Sequence, residues 1–179
     1  LGLRCVIFMP ANMSEERRQM MRVYGAEIVD APDDDFVGAI EMRDELLFEN
    51  AKCWSPLQFS NPDNTRCHET VTGPEILRDV KQLGKDWSAF IHGSGTGGTI
   101  EGVRRFVKSS NLETKIVMVQ PHESPHGIQG IADGKEFLAK DCDMDQIVKV
   151  KTVDAIERAK LFAQKTGLLV GLSAGANIL

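Results

Sequence analysis

No stretch of this chain approaches the roughly 20 apolar residues that a membrane-spanning helix needs. Positive charge is not in excess either: 21 Lys and Arg against 26 Asp and Glu leave a formal charge of −5. Neither a nucleic acid nor an anionic membrane is therefore expected as a partner. The four cysteines, Cys5, Cys53, Cys67 and Cys142, lie far apart and form no C-x-x-C pair. That is the usage of isolated reduced thiols, and it points to the cytoplasm. Metal-ligand spacing is also missing. His122 and His126 are four apart, but Pro125 between them disfavours the helix that would join them, and Cys67-His68 has no second pair to complete a site. With 16 glycines and 7 prolines the chain is no low-complexity segment. It opens Leu1-Gly2-Leu3-Arg4-Cys5, with neither an initiator Met nor a signal-peptide pattern, so it is expected to begin inside a longer polypeptide.

What is present is 179 residues, 42% hydrophobic and 26% charged, enough for a substantial core. The apolar runs at 5–9, 26–29, 89–92, 116–119, 148–150 and 168–172 read as strands. Helices are expected at 14–24, capped by Ser14 with Met13, Met20, Met21 and Tyr24 on one face, and at 36–52 through Val37, Ile40, Leu47 and Ala51. Others are expected from Gly73-Pro74 to Gly84, at 99–109 and at 154–166. Residues 30–35 read as a solvated acidic loop, 53–72 as irregular, and 121–147 as mostly loop. Strands alternating with crossover helices give an α/β fold with a mainly parallel sheet.

The strongest local pattern is His92-Gly93-Ser94-Gly95-Thr96-Gly97-Gly98-Thr99-Ile100, between an apolar strand and an amphipathic helix. Glycines let a backbone come close to a ligand with its N–H groups turned inward, and the helix start adds partial positive charge. Thr96 and Thr99 add hydroxyls, so a phosphate is the natural occupant. The G-x-G-x-x-G spacing of a dinucleotide site is not met. Three further segments carry less on their own. Gly171-Leu172-Ser173-Ala174-Gly175-Ala176 reads as a helix start, Gln58-Phe59-Ser60-Asn61-Pro62-Asp63-Asn64 as an amide-rich Asn/Pro loop, and His126-Gly127-Ile128-Gln129-Gly130-Ile131 as a glycine-flanked loop.

Taken in order, these segments resemble the O-acetylserine sulfhydrylases, or cysteine synthases, among the fold type II enzymes that use pyridoxal 5′-phosphate. Met9-Pro10-x-x-Met13-Ser14-x-Glu16-Arg17-Arg18 and Thr72-Gly73-Pro74-Glu75-Ile76 carry the likeness further, across essentially the whole chain. The resemblance implies that Gly95, Thr96, Gly97, Gly98 and Thr99 bind the cofactor phosphate and that Ser173 bonds the pyridine nitrogen. It implies that Gln58, with Phe59 beside it, holds the substrate carboxylate, and that Gly130 and Ile131 line the entrance. Residues 1–50 would be the remainder of a smaller N-terminal lobe and 51–179 a larger, truncated phosphate-binding lobe. The implied reaction is a β-replacement making L-cysteine from O-acetylserine and sulfide. A homodimer and a serine acetyltransferase partner are implied with it.

The family's Schiff-base lysine lies upstream of the segment matching Met9 to Arg18, and its last segment lies beyond Ser173. No catalytic residue is therefore nominated, and the chain by itself is expected to be inactive. Ala132 and Ala174 depart from the family pattern, as does the stretch 133–141. A cystathionine β-synthase is the nearest rival, disfavoured by the Ile128-Gln129-Gly130-Ile131 run. Thr96 and Thr99 argue against the serine and threonine dehydratases. The reading from another class is a binding protein that keeps the phosphate cup without catalysis.

Overall fold

A computed structural model describes residues 2–33, 35–132 and 136–179, in two compact units, Leu1–Pro56 and Leu57–Leu179. Among the described residues, no helix is long and apolar enough to cross a membrane, and no cluster of three His, Cys, Asp or Glu could hold a metal.

In the first unit β1 (Val6–Pro10) pairs in parallel with β2 (Glu27–Ala31), Phe8 opposite Val29. α1 (Glu15–Val23) joins them, and α2 (Phe36–Glu49) follows. The inward face of α1 is not the expected methionine face. Met20 and Tyr24 are exposed, and Ser14 makes no side-chain cap. The buried residue is Arg18, whose guanidinium donates to the carbonyls of Pro10 and Ala11 and to the Asp30 carboxylate at 2.6 Å. Five donors in a fork can satisfy a strand end and a carboxylate together, and this turns the Arg18 face inward. Asp30 is accordingly a strand residue rather than part of a solvated loop. α2 is capped by Asp35, whose side chain accepts from the Gly38 amide at 2.8 Å, and it ends before Ala51.

In the second unit the segment expected to be irregular is largely helical. Asn61 caps α3 (Pro62–Cys67), accepting from the Asp63 amide at 2.9 Å, with Pro62 in the first turn. The same residue types make turns, which is why the start was hidden. A π-turn (His68–Thr72) leads without a break into α4 (Gly73–Gln82). The wide turn closes with the Gly73 amide on the His68 carbonyl, one residue before Pro74, which has no amide to give. α4 therefore opens at Gly73-Pro74 as expected, but it continues the π-turn rather than rising from a loop. A Cβ on Gly73 would sit 2.7 Å from the Phe106 ring.

β3 (Ala89–Gly93), β4 (Lys115–Pro121) and β5 (Gln146–Val150) form a parallel sheet with β4 central. β4 is buried on both faces, as a central parallel strand should be. Ile116 and Met118 pack with Ile100, Val103 and Val107 of α5 (Gly98–Ser109). Val119 packs on the other side with Ala155 of α6 (Thr152–Thr166) and Ala176 of α7 (Leu172–Ile178). Helices on both faces of the parallel sheet make this an α/β fold. The run 168–172 is not a strand: Leu168 and Leu169 are exposed and Leu172 already begins α7. Apolar composition allows a strand, but a ladder needs a neighbour, and no described strand lies alongside.

Candidate functional site

β3 ends at Gly93 and α5 begins at Gly98, and residues 94–97 turn between them. Gly97 occupies the cap position with φ +82°, left-handed backbone that glycine adopts without penalty. A Cβ on it would lie 2.5 Å from the Ala139 amide nitrogen, on Gly95 2.6 Å from the Gly130 carbonyl, and on Gly98 inside the Asn64 side chain. The rear of the turn is therefore packed to contact. Three of its amides are free: among the described residues nothing accepts from the amides of Gly95, Thr96 and Gly97.

Thr96 completes the turn. Its Oγ1 accepts from Asn64 Nδ2 at 3.1 Å and from the Gly98 amide at 3.2 Å. With both lone pairs engaged, its hydroxyl proton is left to donate outward. Thr99 Oγ1 bonds His68 Nε2 at 3.1 Å, and His68 Nδ1 bonds Thr72 Oγ1 at 2.8 Å. Burial holds His68 below the usual imidazole range. Burial, and then the neighbouring His68, does the same for His92, which stacks on Phe90 and leaves its buried Nδ1 without a partner. Both imidazoles are thereby biased toward the neutral form. Three unpaired amides, a hydroxyl donor and the start of a 12-residue helix form a socket for an anion.

The remaining residues fall unevenly around this turn. Gly130, at φ +98°, sits directly behind Gly95. Ile131 is core, its side chain filling the space beside Gly93, so it lines no entrance with that side chain. Gln58 is exposed; its carbonyl accepts from Asn64 Nδ2 at 2.8 Å, two hydrogen bonds from Thr96. Phe59 packs on Phe137, ring centroids 4.7 Å apart. Ser173 lies in the first turn of α7, half-buried, and α7 packs against β3 next to the turn. Of the divergent stretch 133–141, residues 133–135 lie outside those described. Leu138 and Ala139 brace the turn, the Leu138 amide donating to the Thr96 carbonyl at 3.0 Å. Asn64 closes the amide-rich run 58–64, His68 was weighed only beside Cys67 as a metal ligand, and Leu138 lies in the divergent stretch, but no local signal gives any of the three a role at this turn.

The profile of the family described as pyridoxal-phosphate dependent enzyme matches residues 1–179. The chain belongs to this family. It is 37% identical over 190 residues to a cysteine synthase of Staphylococcus aureus (strain N315), covering 99% of this chain and 60% of the relative. A crystal structure of a hydrogen sulfide-producing enzyme, a D232N mutant complexed with an α-aminoacrylate intermediate, superposes with a TM-score of 0.91 at 36% identity. It covers 99% of this chain and 57% of that one. A cysteine synthase of Entamoeba histolytica superposes with a TM-score of 0.83 at 35% identity, covering 99% and 55%. The chain thus spans about 60% of the length of the curated relatives it matches, and its fold is that of the fold type II enzymes.

Proposed function

We infer that the turn from Gly95 to Thr99 is the phosphate cup of a pyridoxal phosphate site, in a protein that makes L-cysteine from O-acetylserine and sulfide. The observation that carries this reading is the set of unpaired amides at Gly95, Thr96 and Gly97, backed so closely that no Cβ fits behind Gly95 or Gly97. A fixed array of donors at a helix start suits a phosphate dianion and costs no rearrangement when it binds. When bound, the cofactor supplies the electron-withdrawing ring that lets one β-substituent of an amino acid leave and another enter.

The chain's own residues divide the work around that ring. In the Nε2–H tautomer His68 donates to Thr99 and leaves the Thr99 hydroxyl proton free for a phosphate oxygen. Thr96, held by Asn64, donates a second hydroxyl. Ser173 would meet the pyridine nitrogen with a neutral hydroxyl. Unlike a carboxylate it does not favour the protonated ring, which suits elimination and replacement at the β-carbon. Gln58 holds the substrate carboxylate with Phe59 beside it, and Gly130 with the backbone of Ile131 borders the entrance. Residues 51–179 are the phosphate-binding lobe and 1–50 belong to the smaller one. The enzyme works in the cytoplasm as a homodimer, with a serine acetyltransferase as its partner.

The test is turnover by the protein carrying this chain, with O-acetylserine and sulfide and with homocysteine in place of sulfide. Cysteine formed at the higher kcat/KM supports the reading. A preference for homocysteine gives the site to a cystathionine β-synthase, and pyridoxal phosphate binding without turnover to a binding protein.

A further inference from the structure

The geometry behind the cup points to a second set of residues that never touches the ligand. We propose that buried Gln120 and half-buried Asp141 form a positioning element for the phosphate cup, acting through residues 138–141. This rests on the reading of the turn at 95–99 as a phosphate site.

Gln120 lies near the end of β4 on the α5 side, in line with Ile116 and Met118, and is only 7% exposed. Its Nε2 donates to Asp141 Oδ1 at 2.7 Å. A buried amide beside a carboxylate is costly to strand, so each holds the other in place. Asp141 opens the segment's single 3-10 turn (Asp141–Asp143), and its amide donates to Glu136 Oε1 at 2.8 Å. Two residues earlier the same strap supports the cup directly. The Leu138 amide donates to the Thr96 carbonyl at 3.0 Å, and the Ala139 backbone fills the place a Cβ of Gly97 would take.

The strap thus meets the cup at residues 138 and 139 and the sheet at residue 141. Sheet position is thereby passed to the left-handed Gly97 through three residues of backbone. The space between the pair and Ser94, the first residue of the turn, is about 10 Å³. Among the described residues that is about the room of one water, so the pair acts by position. The strap's other ties are to different elements. Arg104 of α5 approaches Asp143 at 3.9 Å, and Asp145 exchanges hydrogen bonds with Ile116 at the start of β4. Removing the Gln120 amide therefore leaves the strap tethered further along and loosens only the part that faces the cup.

The experiment is equilibrium binding of pyridoxal phosphate and of pyridoxal, which lacks the phosphate, to the intact protein, with the ³¹P resonance of the bound cofactor as a second readout. Gln120→Met keeps the side chain's length and removes its donor; Asp141→Leu removes the acceptor; Asp141→Asn keeps an acceptor oxygen. Gln120→Met and Asp141→Leu should each weaken pyridoxal phosphate binding about tenfold, leave pyridoxal binding within about twofold, and shift or broaden the ³¹P line. Combined, they should cost little more than either alone, because they remove one interaction. Asp141→Asn should bind within about threefold of the parent. Unchanged pyridoxal phosphate affinity in Gln120→Met, or equal losses for the two ligands, overturns the proposal. Gly97→Val measured alongside separates the two ideas. If it weakens phosphate-dependent binding while Gln120→Met does not, the cup stands and the strap falls. If both are silent, the cup reading falls and takes the proposal with it.

Discussion

Replacing Gly97 by valine puts a β-branched side chain where the backbone has φ +82° and where the first added carbon lies 2.5 Å from the Ala139 nitrogen. Two costs follow. Holding an L-residue in left-handed backbone costs about 1–2 kcal/mol. Relieving the contact requires the turn and the Ala139 backbone to separate, which breaks the bond from the Leu138 amide to the Thr96 carbonyl, worth about 0.5–1.5 kcal/mol net. The side chain cannot shed either cost by rotating, because the clash is at Cβ. Together they come to about 1.5–3.5 kcal/mol, or about tenfold to a few hundredfold in affinity if the separation takes the amides of Gly95 and Gly97 off a shared phosphate. The assay is titration of the intact protein with pyridoxal phosphate and with pyridoxal, followed by absorbance, with thermal unfolding as the control for global damage. The loss should appear for the phosphorylated ligand and be small for the other. Equal affinity of the variant and the parent for pyridoxal phosphate would refute the reasoning, because the turn would then tolerate a Cβ at its tightest point.

Thr96→Ala should cost about 1.5–3 kcal/mol, roughly tenfold to a hundredfold, by removing one charge-assisted donor while the backbone stays in place; binding titration checks it. Ser173→Asp should change the absorbance of the bound cofactor and slow turnover while affinity stays within a few-fold, and unchanged turnover would remove Ser173 from the site. The lowered pKa values of His92 and His68 make a pH prediction with a definite sign. A base whose folded pKa lies below its unfolded value of about 6.5 contributes stability that is complete above 6.5 and lost as pH falls through the folded pKa. Unfolding midpoints should therefore decline below pH 6.5, and His92→Phe, which keeps the stack on Phe90, should flatten that decline; an identical slope in the variant would discount His92.

The turn at 95–99 was legible because its make-up is local: glycines at fixed spacing between an apolar strand and an amphipathic helix. What supports it was not. Asn64 and His68 reach it from a helix some thirty residues earlier, and His68 does so only because the π-turn rotates it toward Thr99. No periodicity in the sequence announces a π-turn, and the residues before it also build loops. The same holds for Arg18, a charged residue at a buried position because strand-end carbonyls and Asp30 satisfy it. The run 168–172 shows the converse: its composition suits a strand, yet strand pairing depends on a neighbour that composition does not reveal. Ile131 was placed at an entrance by its motif, whereas its side chain is core.

The most direct test of the central claim is a crystal structure of the intact protein grown with pyridoxal phosphate. The phosphate should lie within hydrogen-bond distance of the amides of Gly95, Thr96 and Gly97, with the hydroxyls of Thr96 and Thr99 donating to it and Gly97 still left-handed. A phosphate bound elsewhere, or those three amides paired to protein groups in the loaded structure, would contradict it.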